Sequence, residues 1–353
     1  MNILFDHQLF YNRYGGASKY LVMLMNSMPK DSWKTTALFP INEYAGSKGL
    51  MKTYKQHFRG QIRLTEAINN IYTNLYLRHG NYDVLHLTNF NTSCFKALGT
   101  KPMVTTFHDI NLSTHLPQPE MVEKQRKTLR RANAIICISE NTKRDMLNIF
   151  EIDDRKVHVI YHGVEMPNLS LLPKERFFDF PYILYVGVRL EYKNFHRLIK
   201  AFAIIREHYP ELKLVCTSFP FTDKEQEEFN KLGISEQIIH ISASEEQMIR
   251  LYRDALYFIY PSIYEGFGMP ILEAWSCHCP VLLSNTSCFP EIAQEAGLYF
   301  NPEDIDNIAY TMQKALDDLE LRENLRRLGD KRVKLFSWKK CADEHMRVYK
   351  TLV

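Results

Sequence analysis

The sequence predicts an α/β protein made of two consecutive doubly wound domains, each a parallel sheet covered by helices. Three observations carry that reading. Short runs rich in Ile, Val, Leu and Tyr alternate with helix-period segments, and the alternation restarts at residue 182 after ending near 161. The chain has 353 residues, beyond the roughly 250–300 at which a single hydrophobic core stops growing.

In the first array, residues 2–5, 84–87, 103–107, 134–138 and 157–161 read as strands apolar on both faces, as a helix-covered parallel sheet requires. Helical periodicity occupies 17–28 and 119–132, and 141–149 follows Ser139, a residue suited to an N-cap. In the second array the strands are expected at 182–188, 212–217, 237–241, 256–260 and 280–284. Helices fill 195–208, 223–232, 245–253, 270–277, 304–318 and 320–335. In the first of these, Phe195, Leu198, Ile199, Phe202 and Ile205 share one face. Residues 166–181 carry Pro167, Pro173 and Pro181 with little periodicity and read as a linker. The expected domains are therefore 1–165 and 182–336.

Composition narrows the class. Hydrophobic residues make up 45% and charged residues 24%, ordinary for a soluble globular protein. No run reaches the ~18 apolar residues that span a bilayer. Asp6 and His7 interrupt the start too early for a signal peptide, so a cytoplasmic location is expected. The seven cysteines are scattered, unlike a disulfide framework. Cys277-His278-Cys279 has no second Cys/His pair at zinc spacing, so reduced, buried thiols and no metal are expected.

The net charge of +3 is unevenly spread. Residues 1–165 hold 21 Lys and Arg against 14 Asp and Glu, a surplus of seven, whereas 166–353 hold 23 against 27. The first half is thereby suited to an anionic partner. Lys124, Arg126, Lys127, Arg130 and Arg131 cluster around one helix; a solvated face and an anionic membrane surface are the two readings. Nucleic acid is disfavoured, because no recognition module appears and the overall charge is small.

The segment Pro261 to Ala274 carries the clearest chemistry. An apolar strand runs into a loop with Gly266 and Gly268, and Pro270 stands where a helix begins. Glycines admit a ligand close to the backbone, and helix-start amides favour a phosphate. Glu265 in the loop and Glu273 in the expected first turn suit sugar or ribose hydroxyls. Taken singly, Glu265 reads as a solvated loop residue and Glu273 as a complement to the helix dipole; the whole segment, with its glycines and proline, reads as a ligand loop.

A second constellation runs from Tyr185 to Asn194. A buried strand ends at Gly187, and Asn194 is suited to cap the helix starting at Phe195. Arg189 and Lys193 then leave the carboxyl edge of the sheet, where open α/β folds bind ligands, and two cations there suit a diphosphate. Alone, they also read as solvated loop charges. In the first half, Gly15-Gly16 follows a strand but lacks the dinucleotide fingerprint, leaving a turn and a ligand-facing loop as alternatives. His108-Asp109 follows strand 103–107, where His108 either contacts a sugar hydroxyl or is a satisfied structural histidine.

Together these segments resemble the retaining GT-B glycosyltransferases of family 4, the glycosyl transferases group 1. The strongest part is the E-x7-E motif from Glu265 to Glu273, followed by Cys277-His278-Cys279-Pro280-Val281 and Pro290-Glu291. G-x-R-x-x-x-K-N, Gly187 through Asn194, is the second. Gly15-Gly16-Ala17-Ser18-Lys19-Tyr20, His108-Asp109, Ser139 and His162-Gly163-Val164 complete the pattern in order.

The resemblance implies two Rossmann-like domains facing each other across a cleft, with a last helix over 337–353 opened by Ser337-Trp338. It implies that Arg189 and Lys193 hold the donor diphosphate. Glu265 contacts the transferred sugar with the backbone of Gly266, Phe267, Gly268 and Met269 beside it, and Glu273 binds the ribose. Gly187 lies beside the phosphates, Gly15 and Gly16 approach them from the first domain, and His108 lies near the reacting face.

The expected activity is retaining, metal-independent hexosyl transfer, with no cofactor beyond a GDP- or UDP-sugar donor. The expected acceptor is a glycan or lipid-linked glycan of surface polysaccharide assembly, reached by a cytoplasmic protein at the inner face of the membrane. His278 stands where the family usually has glycine, and a left-handed helix end is expected there. His162 replaces a common Asn, and Thr217-Ser218-Phe219-Pro220 lacks a usual glycine. Asp304-Ile305-Asp306 opens a helix and reads as dipole-complementing rather than metal-binding. A nucleotide-sugar epimerase and a non-catalytic nucleotide-binding partner subunit are the rival classes; the first consumes donor without acceptor, the second transfers nothing.

Overall fold

The protein is represented by a computed structural model that describes residues 1–55, 58–109 and 119–353. Its strands are β1 (Ile3–Phe5), β2 (Trp33–Thr35), β3 (Val84–Leu87), β4 (Met103–Phe107), β5 (Ala134–Cys137) and β6 (Val157–Val159), then β7 (Tyr182–Tyr185), β8 (Lys213–Thr217), β9 (Ile238–Ile241), β10 (Phe258–Tyr260), β11 (Val281–Ser284) and β12 (Gly297–Phe300). The helices are α1 (Gly16–Ser27), α2 (Glu43–Ser47), α3 (Gln61–His79), α4 (Phe95–Leu98), α5 (Pro119–Arg131), α6 (Glu140–Ile149), α7 (Phe195–Ile205), α8 (Asp223–Leu232), α9 (Glu245–Asp254), α10 (Met269–Ser276), α11 (Phe289–Ala293), α12 (Ile305–Asp317), α13 (Leu319–Arg332) and α14 (Trp338–Lys350).

The chain divides into two compact units, Met1–Gly163 with Ser337–Val353, and Val164–Phe336. The first contains a sheet in the order β2-β1-β3-β4-β5-β6, and the second a sheet in the order β12-β11-β10-β7-β8-β9. Every strand pair is parallel. Parallel neighbours need crossovers, so helices cover both faces and the central strands must be apolar on both sides. Val84, Leu85 and Leu87 of β3 and Ile183, Leu184 and Tyr185 of β7 are accordingly buried. The first core joins Leu4, Leu85, Phe107, Leu129 and Met146; the second joins Ile183, Leu198, Phe202, Leu214 and Ile308. The α/β class expected from the alternation is the class observed.

Six elements were not expected from the pattern: the edge strands β2 and β12, the 19-residue helix α3, and the short helices α2, α4 and α11. Residues 166–181, expected as a linker, lie within the second unit. Phe178 stacks on Phe180 at 4.7 Å and meets Tyr182 edge-on, while the Phe177 amide donates to Asp254 at 2.8 Å. Aromatic content overrides the three prolines as the determinant of that segment.

Residues 337–353 return to the first unit, where α14 packs on α1. Ser337 caps α14 by accepting from the Lys340 amide at 3.1 Å. At the start of this helix Gly163 approaches so closely that a Cβ would overlap the backbone of Ser337 and Trp338. Backbone cannot swing aside as a side chain can. Gly163→Ala is therefore expected to destabilise the protein by about 1–3 kcal/mol, read as a lower melting temperature and as earlier proteolysis of α14.

Candidate active site

In the second unit β7 is flanked by β10 on one side and β8 on the other, so the chain direction of winding reverses between β7 and β10. Loops leaving the carboxyl ends of two such strands diverge to opposite faces and leave a crevice where α/β folds bind ligands. The loop after β7 carries Gly187, Arg189 and Lys193; the loop after β10 carries Glu265 to Gly268. The two are joined at this point. Lys193 Nζ lies 2.5 Å from Glu265 Oε1, each side chain 13% exposed, and the Ile263 amide donates to the Tyr192 carbonyl at 2.8 Å. A third loop, after β11, clamps the second: the Glu265 amide donates to Ser287 Oγ at 3.0 Å and that hydroxyl donates to the Glu265 carbonyl at 2.6 Å.

Electrostatics follow from this burial. Desolvation works against the charged form of Lys193, but Glu265 and Tyr192 more than offset it, and the ammonium is held above its ordinary pKa. The Tyr260 hydroxyl beside the pair is pushed well up, first by burial and then by Glu265. Gly268, the N-cap of α10, has φ +86°, and a Cβ there would crowd Ile271 and Phe289. Glycine at 268 thus answers both a left-handed backbone and a close approach. Phe267 is buried and meets Phe336 edge-on at 6.1 Å, which leaves its backbone, not its ring, to face a ligand. Gly266 lies in the same loop, and Met269 is the first residue of α10, with Pro270 one position further in than expected.

Arg189 is placed differently from Lys193. Its Nε lies 2.5 Å from Glu225 Oε1 on α8, and its Nη2 donates to the carbonyls of Phe219 and Pro220 at 2.8 Å. Only Nη1 is buried without a partner. Glu225 closes the capping box of α8 with Thr222; burial opposes its charge, yet Arg189 and Thr222 hold the carboxyl below its ordinary pKa. No sequence motif singled out Glu225. Asn194, expected as a side-chain cap, instead takes a left-handed backbone at φ +58°, and its Nδ2 donates to the carbonyls of Pro261 and Pro302 at 3.1 and 2.7 Å. It staples the two loops together rather than capping α7. Glu273 lies in the second turn of α10, not the first, and its Oε2 accepts from the Tyr252 hydroxyl at 3.4 Å.

In the first unit Gly15 is the N-cap of α1 with φ +147°, and Gly16 is the first helical residue, with open space where a Cβ would stand. Asp6, after β1, accepts from the Thr88 amide after β3 at 2.6 Å and joins those two strand ends, a role no sequence motif assigns to either residue. His108 follows β4 and lies edge-on to the Tyr20 ring at 5.0 Å. Burial alone pushes its imidazole down to about 4, so it is neutral at pH 7.

Tyr20 is the hub of a buried chain of hydrogen bonds that fixes α14. His345 Nδ1 lies 2.8 Å from the Cys341 carbonyl, which only accepts, so Nδ1 donates and Nε2 accepts from Tyr20 Oη at 2.7 Å. Tyr20 then accepts from Thr106 Oγ1 at 3.1 Å, Thr106 accepts from His86 Nε2 at 3.0 Å, and His86 Nδ1 accepts from Tyr349 Oη at 2.6 Å. One proton direction runs through all five bonds. His162 stacks on Tyr20 at 4.7 Å. Burial, then neighbouring histidines, push His86 and His162 well below the ordinary value.

His278 has φ +59° just past the end of α10, the left-handed conformation expected, and its Nδ1 lies 2.6 Å from Asp330 Oδ1. Ser218 takes φ +87° where the usual glycine is missing. Asp304 caps α12 through the Asn307 amide at 3.0 Å. Cys277 and Cys279 are buried, and among the described residues no group of three His, Cys, Asp or Glu is placed to hold a metal ion.

Comparison with known proteins agrees with this architecture. Residues 173–332 match the family "Glycosyl transferases group 1" and residues 14–166 match "Glycosyltransferase Family 4". The chain is 32% identical to the O-antigen chain mannosyltransferase B of Escherichia coli, over 70% of each chain. It is 29% identical to the MMP alpha-(1->4)-mannosyltransferase of Mycolicibacterium hassiacum, over 66% of this chain and 57% of the relative. The solved structure of Anabaena Alr3699/HepE in complex with UDP and glucose is similar in fold, with a TM-score of 0.78, 17% identity and full coverage of both chains. Two parallel six-stranded units of this kind define a glycosyltransferase of the GT-B fold. The chain belongs to the group 1 glycosyl transferases.

The histidine chain carries a pH consequence. His108 and His345 are held at about 4 in the fold, against about 6.5 in an unfolded chain. Below pH 6.5 the unfolded state binds more protons, so stability is complete above that value and declines as pH falls toward 4. The thermal midpoint should drop steeply across this window, and a flat profile between pH 6.5 and 4 would contradict the neutral network.

Proposed function

We propose that the protein is a retaining, metal-independent hexosyltransferase that uses a nucleoside diphosphate sugar to extend a glycan or lipid-linked glycan during surface polysaccharide assembly, acting in the cytoplasm. The single observation that carries this reading is the Lys193–Glu265 pair at the crevice between β7 and β10. A largely buried ammonium there is suited to exchange its carboxylate for a diphosphate, leaving Glu265 to accept from sugar hydroxyls. Arg189 is held by Glu225 and two carbonyls with Nη1 spare, a pre-oriented donor for a phosphate oxygen. Glu273 is assigned to the ribose, with the loop backbone of Gly187 and of Gly266 to Met269 beside the donor. In the first unit Gly15 and Gly16 offer amides for phosphate oxygens, and neutral His108 offers a hydrogen bond to a sugar hydroxyl.

In the proposed step the bond from the anomeric carbon to the donor phosphate breaks, and a bond from that carbon to the acceptor oxygen forms on the same face. The acceptor proton passes to the departing phosphate oxygen, and the nucleoside diphosphate leaves. Negative charge grows on the leaving group, so fixed cations contribute more in the transition state than in the ground state. Lys193 and Arg189 supply the positive charge that a divalent ion would otherwise provide. The proposed reaction uses no cofactor beyond the donor.

Mannose from GDP-mannose is the first choice of donor, because two relatives are named mannosyltransferases. A UDP-hexose is the next, because the Anabaena neighbour holds UDP and glucose.

The test uses the purified full chain with GDP-mannose, UDP-glucose and UDP-galactose, reading thermal midpoint and then product mass and anomeric configuration. GDP-mannose should raise the midpoint most, and the product should keep the donor's configuration. Lys193→Ala and Arg189→Ala should each lower turnover by about 100- to 1,000-fold, and a chelator should leave the rate unchanged. Near wild-type turnover in Lys193→Ala would refute the site, and loss of activity on chelation would refute the metal-free step.

A further inference from the structure

Helix α3 is built inside out. Its inward face is polar: Thr65, Asn69 and Thr73 are buried at i, i+4 and i+8, with Leu77 completing the row. Its outward face is apolar, with Leu64 55%, Ile68 40%, Ile71 64% and Leu75 52% exposed. At 100° per residue these four fall within a narrow stripe pointing away from the buried row. A surface helix ordinarily has the reverse arrangement.

The orientation is fixed by hydrogen bonds. Asn69 Oδ1 accepts from the Leu38 amide at 2.6 Å, and Nδ2 donates to the Leu38 carbonyl at 3.1 Å. Thr73 Oγ1 donates to Thr36 Oγ1 at 2.7 Å and lies 2.9 Å from His7 Nδ1. Rolling the helix to hide the leucines and isoleucines would strand those polar groups. Burial of the stripe therefore needs a surface from outside the chain's own first unit.

Charge selects the kind of surface. Arg78 projects beside the stripe and Arg63 lies on the flank between the stripe and the buried row, both exposed, and Arg59 is exposed just before the helix. Among the described residues none of these three has an acidic partner within ion-pair distance. The basic helix α5 differs: Lys124 pairs with Glu120, Arg126 and Lys127 with Glu123, and Arg130 with Glu151, while Arg131 donates to the carbonyls of Gly99 and Lys101. Its cations are each engaged locally, four of them with carboxylates, as suits a solvated face. A second copy of this chain meeting α3 across a two-fold axis would bring like charges together. An anionic bilayer satisfies both the stripe and the arginines, because acyl chains accept the apolar residues and headgroups accept the cations.

We propose that α3 docks the first unit on an anionic lipid surface, lying in the interface plane through Leu64, Ile68, Ile71 and Leu75 with Arg63 and Arg78 on headgroup phosphates. The helix lies on the bilayer and not through it: among the described residues no helix is long and apolar enough to cross. The docking stands apart from the donor chemistry and would hold whichever sugar is transferred.

The experiment is sedimentation of the full chain with phosphatidylglycerol–phosphatidylcholine vesicles and with pure phosphatidylcholine vesicles, at low and high salt. Wild type should bind the anionic vesicles, with binding weakened by salt, and leave the neutral ones largely in solution. Ile71→Asn with Leu75→Asn should lower binding at least about tenfold with an unchanged melting temperature, since both side chains face solvent. Arg63→Gln with Arg78→Gln should flatten the salt dependence, and Lys124→Gln with Lys127→Gln should bind as wild type does. Absence of binding by wild type, or full binding by the Ile71/Leu75 variant, would overturn the proposal. So would a concentration-dependent dimer that the same variant abolishes, because the stripe would then be a self-interface.

Discussion

Two opposite charges held 2.5 Å apart in a largely dry crevice dictate much of the second unit. A buried ammonium without its carboxylate, or the reverse, would be strongly destabilising, so the loops after β7 and β10 must stay in register. Asn194 ties them through the Pro261 carbonyl and reaches Pro302 after β12 as well, Ser287 fixes the backbone of Glu265 from a third loop, and Gly268 lets the chain turn sharply into α10. Such a pair contributes modestly to stability at best, yet it preserves a fixed positive charge where the sheet topology opens. The same economy governs Arg189, whose guanidinium is oriented by α8 before any ligand arrives.

Much of this architecture was legible in the sequence because parallel strands must be apolar on both faces, and such runs are conspicuous. What escaped notice lacked that signal. Strand β2 is Trp33-Lys34-Thr35, an edge strand of three half-buried or exposed residues, and β12 begins with glycine at the opposite edge of the other sheet. Helix α3 escaped because its buried side is polar and its apolar side exposed, which defeats the usual reading of periodicity. In residues 166–181 the prolines dominate the linear pattern, whereas Phe177, Phe178 and Phe180 make the ring contacts of the segment.

The site was partly legible. Glycine and proline around α10 and the cations after β7 mark a ligand loop by their chemistry, and the fold brings Lys193 to Glu265. Glu225 was hidden because its neighbours in the chain say only that a helix begins there, and its partner lies 36 residues away. Nor does any local pattern announce that Asp6 ties β1 to Thr88, or that Tyr20 reaches His345 across 325 residues of chain. Contacts of that separation are set by topology, which a linear pattern constrains only after the strand order is known.

That last contact has a temporal meaning. The first unit is discontinuous: the whole of 164–336 is made before α14 exists. At about 5–20 residues per second on the ribosome, the hydroxyl of Tyr20 and the ring of His86 wait roughly ten seconds or more beyond completion of β6 for their partners. Through that interval the opening half of the protein carries an unfilled groove along α1 while the intervening unit, uninterrupted in sequence, has everything it needs to close on itself. The first unit is therefore completed by the insertion of a key rather than by the folding of a domain.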